Sequence, residues 1–97
     1  DFRWDLHDVV DNGSLGYARY VFSYESTLHG CEGQRALFEG VAICELRDGR
    51  LLSYREVANS AVGLHSIGLP PARVARFLAR EAQALAQRPE AHSHLAS

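Results

Sequence analysis

The hydrophobic pattern of this chain changes period once, and that change constrains the fold more than any other feature. Up to Ala58 the apolar residues tend to alternate with polar ones; beyond Asn59 they recur at three and four. Phe2, Trp4 and Leu6 alternate with Arg3, Asp5 and His7, which is the pattern of a half-buried strand over 2–10. Asp11, Asn12, Gly13 and Ser14 follow as a turn. A second strand is expected over 15–28, rich in Tyr17, Tyr20, Val21, Phe22 and Tyr24. Its length calls for a bend, with Gly16 the candidate bulge. Neither of its faces is purely apolar, so parity alone leaves open which face is the core.

A glycine-bearing connection over 29–35 leads to a third strand over 36–46. Arg47-Asp48-Gly49-Arg50 then carries the Asp-Gly hairpin signal, and a fourth strand follows over 51–58. Beyond it, Asn59 or Ser60 is placed to cap a helical turn over 61–67 that Gly68 ends. Pro70 and Pro71 open a helix predicted over 72–86. Val74, Phe77, Leu78, Ala82 and Leu85 form its apolar stripe, with Arg73, Arg76 and Arg80 around the other side. Residues 88–97 read as a disordered tail after a single domain over 1–87. The fold class expected is α+β: a curved four-stranded antiparallel sheet, then a short helical turn and a C-terminal helix.

Ninety-seven residues make one domain with a modest core. A net charge of −2 gives no electrostatic case for nucleic acid or a membrane surface, so neither is expected as a partner. No apolar run approaches the length of a bilayer span. Cys31 and Cys44 are too few for a disulfide framework and read as reduced thiols, which points to a cytoplasmic location. The chain contains no Met and begins at Asp1 inside an alternating pattern, so a piece of a longer chain is expected.

Few residues look chemical. Tyr54 and Glu56 share one face of the fourth strand, with Arg55 on the other. A carboxylate beside a phenol can serve as base and hydrogen-bond donor; a surface Glu in a cross-strand ion pair explains the same residues. Asn59 is either a pocket amide or the helix cap. His7, His29 and His65 sit on separate elements, and His92 and His94 lie in the tail, so no metal site is expected. No phosphate-binding Gly-rich loop is present, and no cofactor is expected.

The stretch from Phe38 to Asn59, Phe-Glu-Gly-Val-Ala-Ile-Cys-Glu-Leu-Arg-Asp-Gly-Arg-Leu-Leu-Ser-Tyr-Arg-Glu-Val-Ala-Asn, resembles the signature hairpin of SnoaL-like domains of the nuclear transport factor 2-like superfamily. Val62-Gly-Leu-His-Ser-Ile-Gly68 is similar to the Gly-Leu-Leu-x-x-Leu-Gly turn of SnoaL-like polyketide cyclases, and Asp8-Val-Val-Asp-Asn-Gly13 resembles their first hairpin. The resemblance covers roughly residues 2–69. It implies a partial cone-shaped barrel around a pocket, closed by N-terminal helices that would precede Asp1. Either the chain is truncated, or the helix over 72–85 or a second subunit closes the pocket instead. The cyclases often read His-Trp-Asp-x-x-Asp where this chain reads Tyr54-Arg-Glu-Val-Ala-Asn59, so Glu56 keeps the first carboxylate and Asn59 replaces the second. In limonene-epoxide-hydrolase-like members an Arg-x-Asp aligns with Arg19-Tyr-Val21, which keeps the Arg and loses the Asp.

These readings converge on a small-molecule-binding domain for an apolar or aromatic ligand. Trp4, Tyr20, Phe22, Tyr24, Tyr54 and Asn59 are its candidate lining, and Glu56 and Arg19 the candidate acid–base residues for isomerase, cyclase or hydrolase chemistry. The alternative is a non-enzymatic dimerisation or protein-binding module, and a homodimer is expected in either case because the sheet face is open. Glu56 bears on the choice: buried among aromatics it suits proton transfer, whereas exposed to solvent it removes the enzyme reading and leaves the non-enzymatic binding module.

Overall fold

A computed structural model describes residues 2–96. The elements run β1 (Phe2–Asp11), β2 (Leu15–Glu25), β3 (Arg35–Arg47), β4 (Arg50–Ala58), α1 (Ser60–Ser66) and α2 (Pro71–Ala86), ending in a 3₁₀ turn (Pro89–Ala91) and α3 (His92–Leu95). The strands form one curved antiparallel sheet in sequential order, so β1 and β4 are its edges. The fold is therefore the expected α+β arrangement.

Local chemistry fixes the two tight hairpins. Between β1 and β2, Asp11 Oδ1 accepts from the Gly13 N–H at 2.9 Å and Asn12 Oδ1 accepts from the Leu15 N–H at 2.8 Å. Between β3 and β4, Asp48 and Gly49 both have positive φ, 53° and 75°, which a two-residue hairpin loop with native twist requires.

Four local expectations need correction. β2 stops at Glu25 rather than Leu28, because Ser26 exchanges backbone hydrogen bonds with Gln34 and Gly33 and turns the chain away. Gly16 pairs regularly with Asp11 and Cys44. The irregularity lies instead in β1 between His7 and Val10, where Asp8 takes φ 52°; aspartate tolerates that region better than most residues. Asn59 occupies the N-cap position of α1 but makes no side-chain cap bond; its N–H is held by the Glu39 carbonyl at 3.0 Å, at the end of the β3–β4 ladder. The tail over 88–97, expected to be disordered, forms helical turns over 89–95.

The core sits at one end of the sheet. Cys31, Ala36, Leu64, Ile67 and Leu69 are buried together, with Tyr24, Phe38 and Val74 packed around them. Helix α1 approaches β3 closely because residue 63 is glycine: a Cβ there would run into the Phe38 ring. The Leu37 N–H donates to Ser66 Oγ at 3.1 Å, tying the same two elements. Gly68, at φ 77°, ends α1: its N–H donates to the His65 carbonyl and that of Leu69 to Leu64. This is a Schellman motif, and it turns Leu69 back into the core. Helix α2 buries none of its residues, and Val74 packs against the cluster from the partly buried rim. The molecule measures 45 × 42 × 18 Å with a radius of gyration of 16.2 Å, against about 13 Å for a compact chain of this length. The excess is the open sheet and the projecting α2.

Candidate functional site

Strand register gathers the aromatic residues on one face. Trp4 lies opposite Phe22, and Phe22 opposite Phe38; Leu6, Tyr20, Gly40 and Ala58 form the adjacent cross-strand row. Ala42 pairs with Glu56 and Cys44 with Tyr54 in the rows beyond. Alternation puts all of these on the same side of the sheet. The rings touch in series: Trp4 and Tyr20 meet edge-on with centroids 5.6 Å apart, and Tyr24 stacks on Phe38 at 5.9 Å.

Together they line a cavity of about 500 Å³ formed by Trp4, Tyr20, Phe22, Tyr24, Phe38, Tyr54, Glu56, Ala58 and Ser60. It is open on the side away from the sheet, and Trp4 is 49% exposed and Tyr54 45%. Glu56 itself is exposed, contrary to the burial that proton transfer would require. The reason is topological: β4 is an edge strand, and among the described residues no element packs over it on this face.

Tyr20 crosses β3 to reach Glu56. Its Oη–H donates to Glu56 Oε2 at 2.6 Å, from a side chain only 4% exposed. Gly40 makes the crossing possible, since a Cβ at that position would stand 2.6 Å from the Tyr20 hydroxyl and 2.8 Å from the Val57 carbonyl. Tyr54 Oη–H donates to the same Oε2 at 3.2 Å. Burial first, and the neighbouring carboxylate second, push the Tyr20 phenol well above its ordinary pKa. The Tyr54 phenol is raised by the same two causes. Both therefore remain O–H donors at neutral pH.

Arg19 is not part of this cluster. It has the opposite parity to Tyr20, so it points from the other face of the sheet. There its Nε donates to Asp8 Oδ2 at 2.8 Å and a terminal nitrogen to Glu39 Oε2 at 3.0 Å. The irregularity in β1 is what brings Asp8 to Arg19, and Arg19 lowers the Asp8 pKa, by hydrogen bond first and by charge second. Asn59 lies beside Arg19, Glu39 and Val57 rather than in the aromatic cavity. Neither Arg19 nor Asn59 can assist Glu56.

Phe38, Ala58 and Ser60 line the cavity without having been singled out from sequence. The alternation of Phe38, Gly40 and Ala42 placed the first of them on a common face, but only the register joins that face to Tyr20 and Glu56. Among the described residues no group of three or more His, Cys, Asp or Glu is arranged to hold a metal ion. Among the described residues no helix is long and apolar enough to cross a membrane.

No protein-family model matches the chain, and no curated protein does. Solved structures do match in fold. One is a loop-truncation variant of IdmH, at a TM-score of 0.58 and 20% identity over 70% of this chain. Another is AclR, a candidate hydroxylase from Streptomyces galilaeus, at 0.61 and 19% over 73%. The chain spans about half the length of each, 49% and 50% respectively, and at these identities the likeness is one of fold.

Proposed function

We propose that this chain is the sheet-bearing part of a SnoaL-like domain that binds an apolar or aromatic small molecule on its cavity face. One observation carries the reading: six aromatic side chains from all four strands converge on a single cavity of about 500 Å³. Ligand sites are typically concave and apolar with a few convergent polar groups, and here Glu56, the two phenols that donate to it and Ser60 are those groups. The fold shared with IdmH and AclR supports a domain of this architecture. The exposure of Glu56 and the separation of Arg19 deny acid–base catalysis its expected setting, which supports binding over turnover. Cys31 and Cys44 are both free thiols, which supports a reducing, cytoplasmic location.

Trp4 is the chain's single tryptophan and lines the cavity, so it reports occupancy directly. The neutral apolar dye N-phenyl-naphthylamine should brighten with the protein and quench Trp4 emission saturably. Trp4→Ala, at a residue half open to solvent, should weaken the dye without unfolding the chain. Absence of saturable quenching, or equal dye binding by Trp4→Ala, refutes the reading.

A second reading, the dimerisation module, is favoured by a different observation. Every residue of β1 is exposed, including Phe2 at 69% and Leu6 at 57%, and α2 exposes Leu78 and Leu85. Apolar surface on that scale usually marks a contact site. Sedimentation velocity should show a dimer or larger species, and a monomer at high micromolar concentration refutes it.

A further inference from the structure

The charge inventory of the cavity narrows the ligand further. Of its nine lining residues one is acidic and none is basic. Both phenol donors converge on Glu56 Oε2. Among the described residues no protein donor reaches Oε1, and no arginine or histidine forms an ion pair with Glu56. The carboxylate thus stands at one end of a wall of aromatic faces with one oxygen free and its charge unneutralised by protein.

An aromatic face attracts a cation through its quadrupole, and a carboxylate attracts it through its charge; both act in the same direction here. An anionic ligand would meet a like charge. A neutral hydroxyl would satisfy Oε1 but would gain nothing from the rings. From this geometry we infer that the cavity selects a flat apolar molecule carrying one ammonium group, its body on Trp4, Phe22, Tyr24 and Phe38 and its nitrogen between Tyr20, Tyr54 and Glu56. The inference rests on the small-molecule reading given above and adds the charge of the ligand to it.

The test is calorimetric titration of the whole chain with three probes of similar size: naphthylmethylammonium, naphthylmethanol and the carboxylate naphthalene-acetate. The ammonium should bind about tenfold more tightly than the alcohol, a difference of about 1.4 kcal/mol, and the carboxylate should bind most weakly. In Glu56→Gln, the ratio of ammonium to alcohol affinity should fall to within about threefold, the residue left to the rings alone. In the unmodified chain the same ratio should fall as salt rises, because Glu56 is exposed and screened. That second measurement holds even if the variant folds poorly. If the alcohol binds as tightly as the ammonium, the charge inference is overturned while the binding reading stands. If none of the three probes binds, the binding reading itself fails, and the inference with it.

Discussion

Replacing Gly63 by alanine should destabilise the protein, and the same replacement should stabilise it once Phe38 has been removed. Gly63 is buried in the middle of α1, and the three nearest atoms that an added Cβ would meet all belong to the Phe38 ring. Two terms of opposite sign compete. Alanine is favoured over glycine in a helix interior by roughly 0.8–1.0 kcal/mol. Forcing a methyl group into a packed contact costs roughly 1–3 kcal/mol. The ring stacks on Tyr24 and packs against the buried cluster, so yielding toward the cavity means giving up those contacts. The clash should therefore win by up to about 2 kcal/mol, a fall in Tm of about 4–8 °C for each kcal/mol in a domain of this size. In the Phe38→Ala background the overlap is gone, so Gly63→Ala should gain close to the full helix preference of about 1 kcal/mol. Urea unfolding of the four proteins gives the coupling energy, expected to equal the clash term at about 1–3 kcal/mol with an unchanged m-value. Stabilisation by Gly63→Ala in the unmodified chain, or a coupling near zero, would show that α1 does not meet β3 through this contact.

Tyr20→Phe should cost about 1 kcal/mol, less than is usual for a hydrogen bond to a charged group because the exposed Glu56 keeps water as a partner. The Tyr20 and Tyr54 pKa values are raised on folding, so the stability they confer is full below pH ~10, the unfolded tyrosine value, and is lost as pH rises beyond it; alkaline unfolding should be shallower in Tyr20→Phe. Ile67→Ala, at a residue 1% exposed, should cost roughly 2–5 kcal/mol and bring so small a core close to unfolding in a thermal melt. Arg19→Gln should leave dye binding unchanged, since Arg19 works on the opposite face; a loss of binding would contradict the strand parity.

Local pattern and turn chemistry were sufficient for the elements. Alternation over Phe2–Leu6, Asp-Gly at 48–49, Gly68 and Pro70-Pro71 each act within a few residues, so each was legible where it stands. The aromatic lining was legible as composition, because strands this rich in Tyr and Phe must display them somewhere. Their common face was not, because neither face of β2 is purely apolar and a one-residue slip in register exchanges the faces. Only the paired sheet decides that Tyr20 passes over Gly40 to Glu56 while Arg19 and Asn59 lie on the other side. The fate of Glu56 was likewise tertiary. Its carboxylate and its place on β4 are written in the chain, but its exposure follows from β4 being an edge and from what packs against it. Burial is a sum over neighbours distant in sequence, and the periodicity of a single strand does not contain that sum.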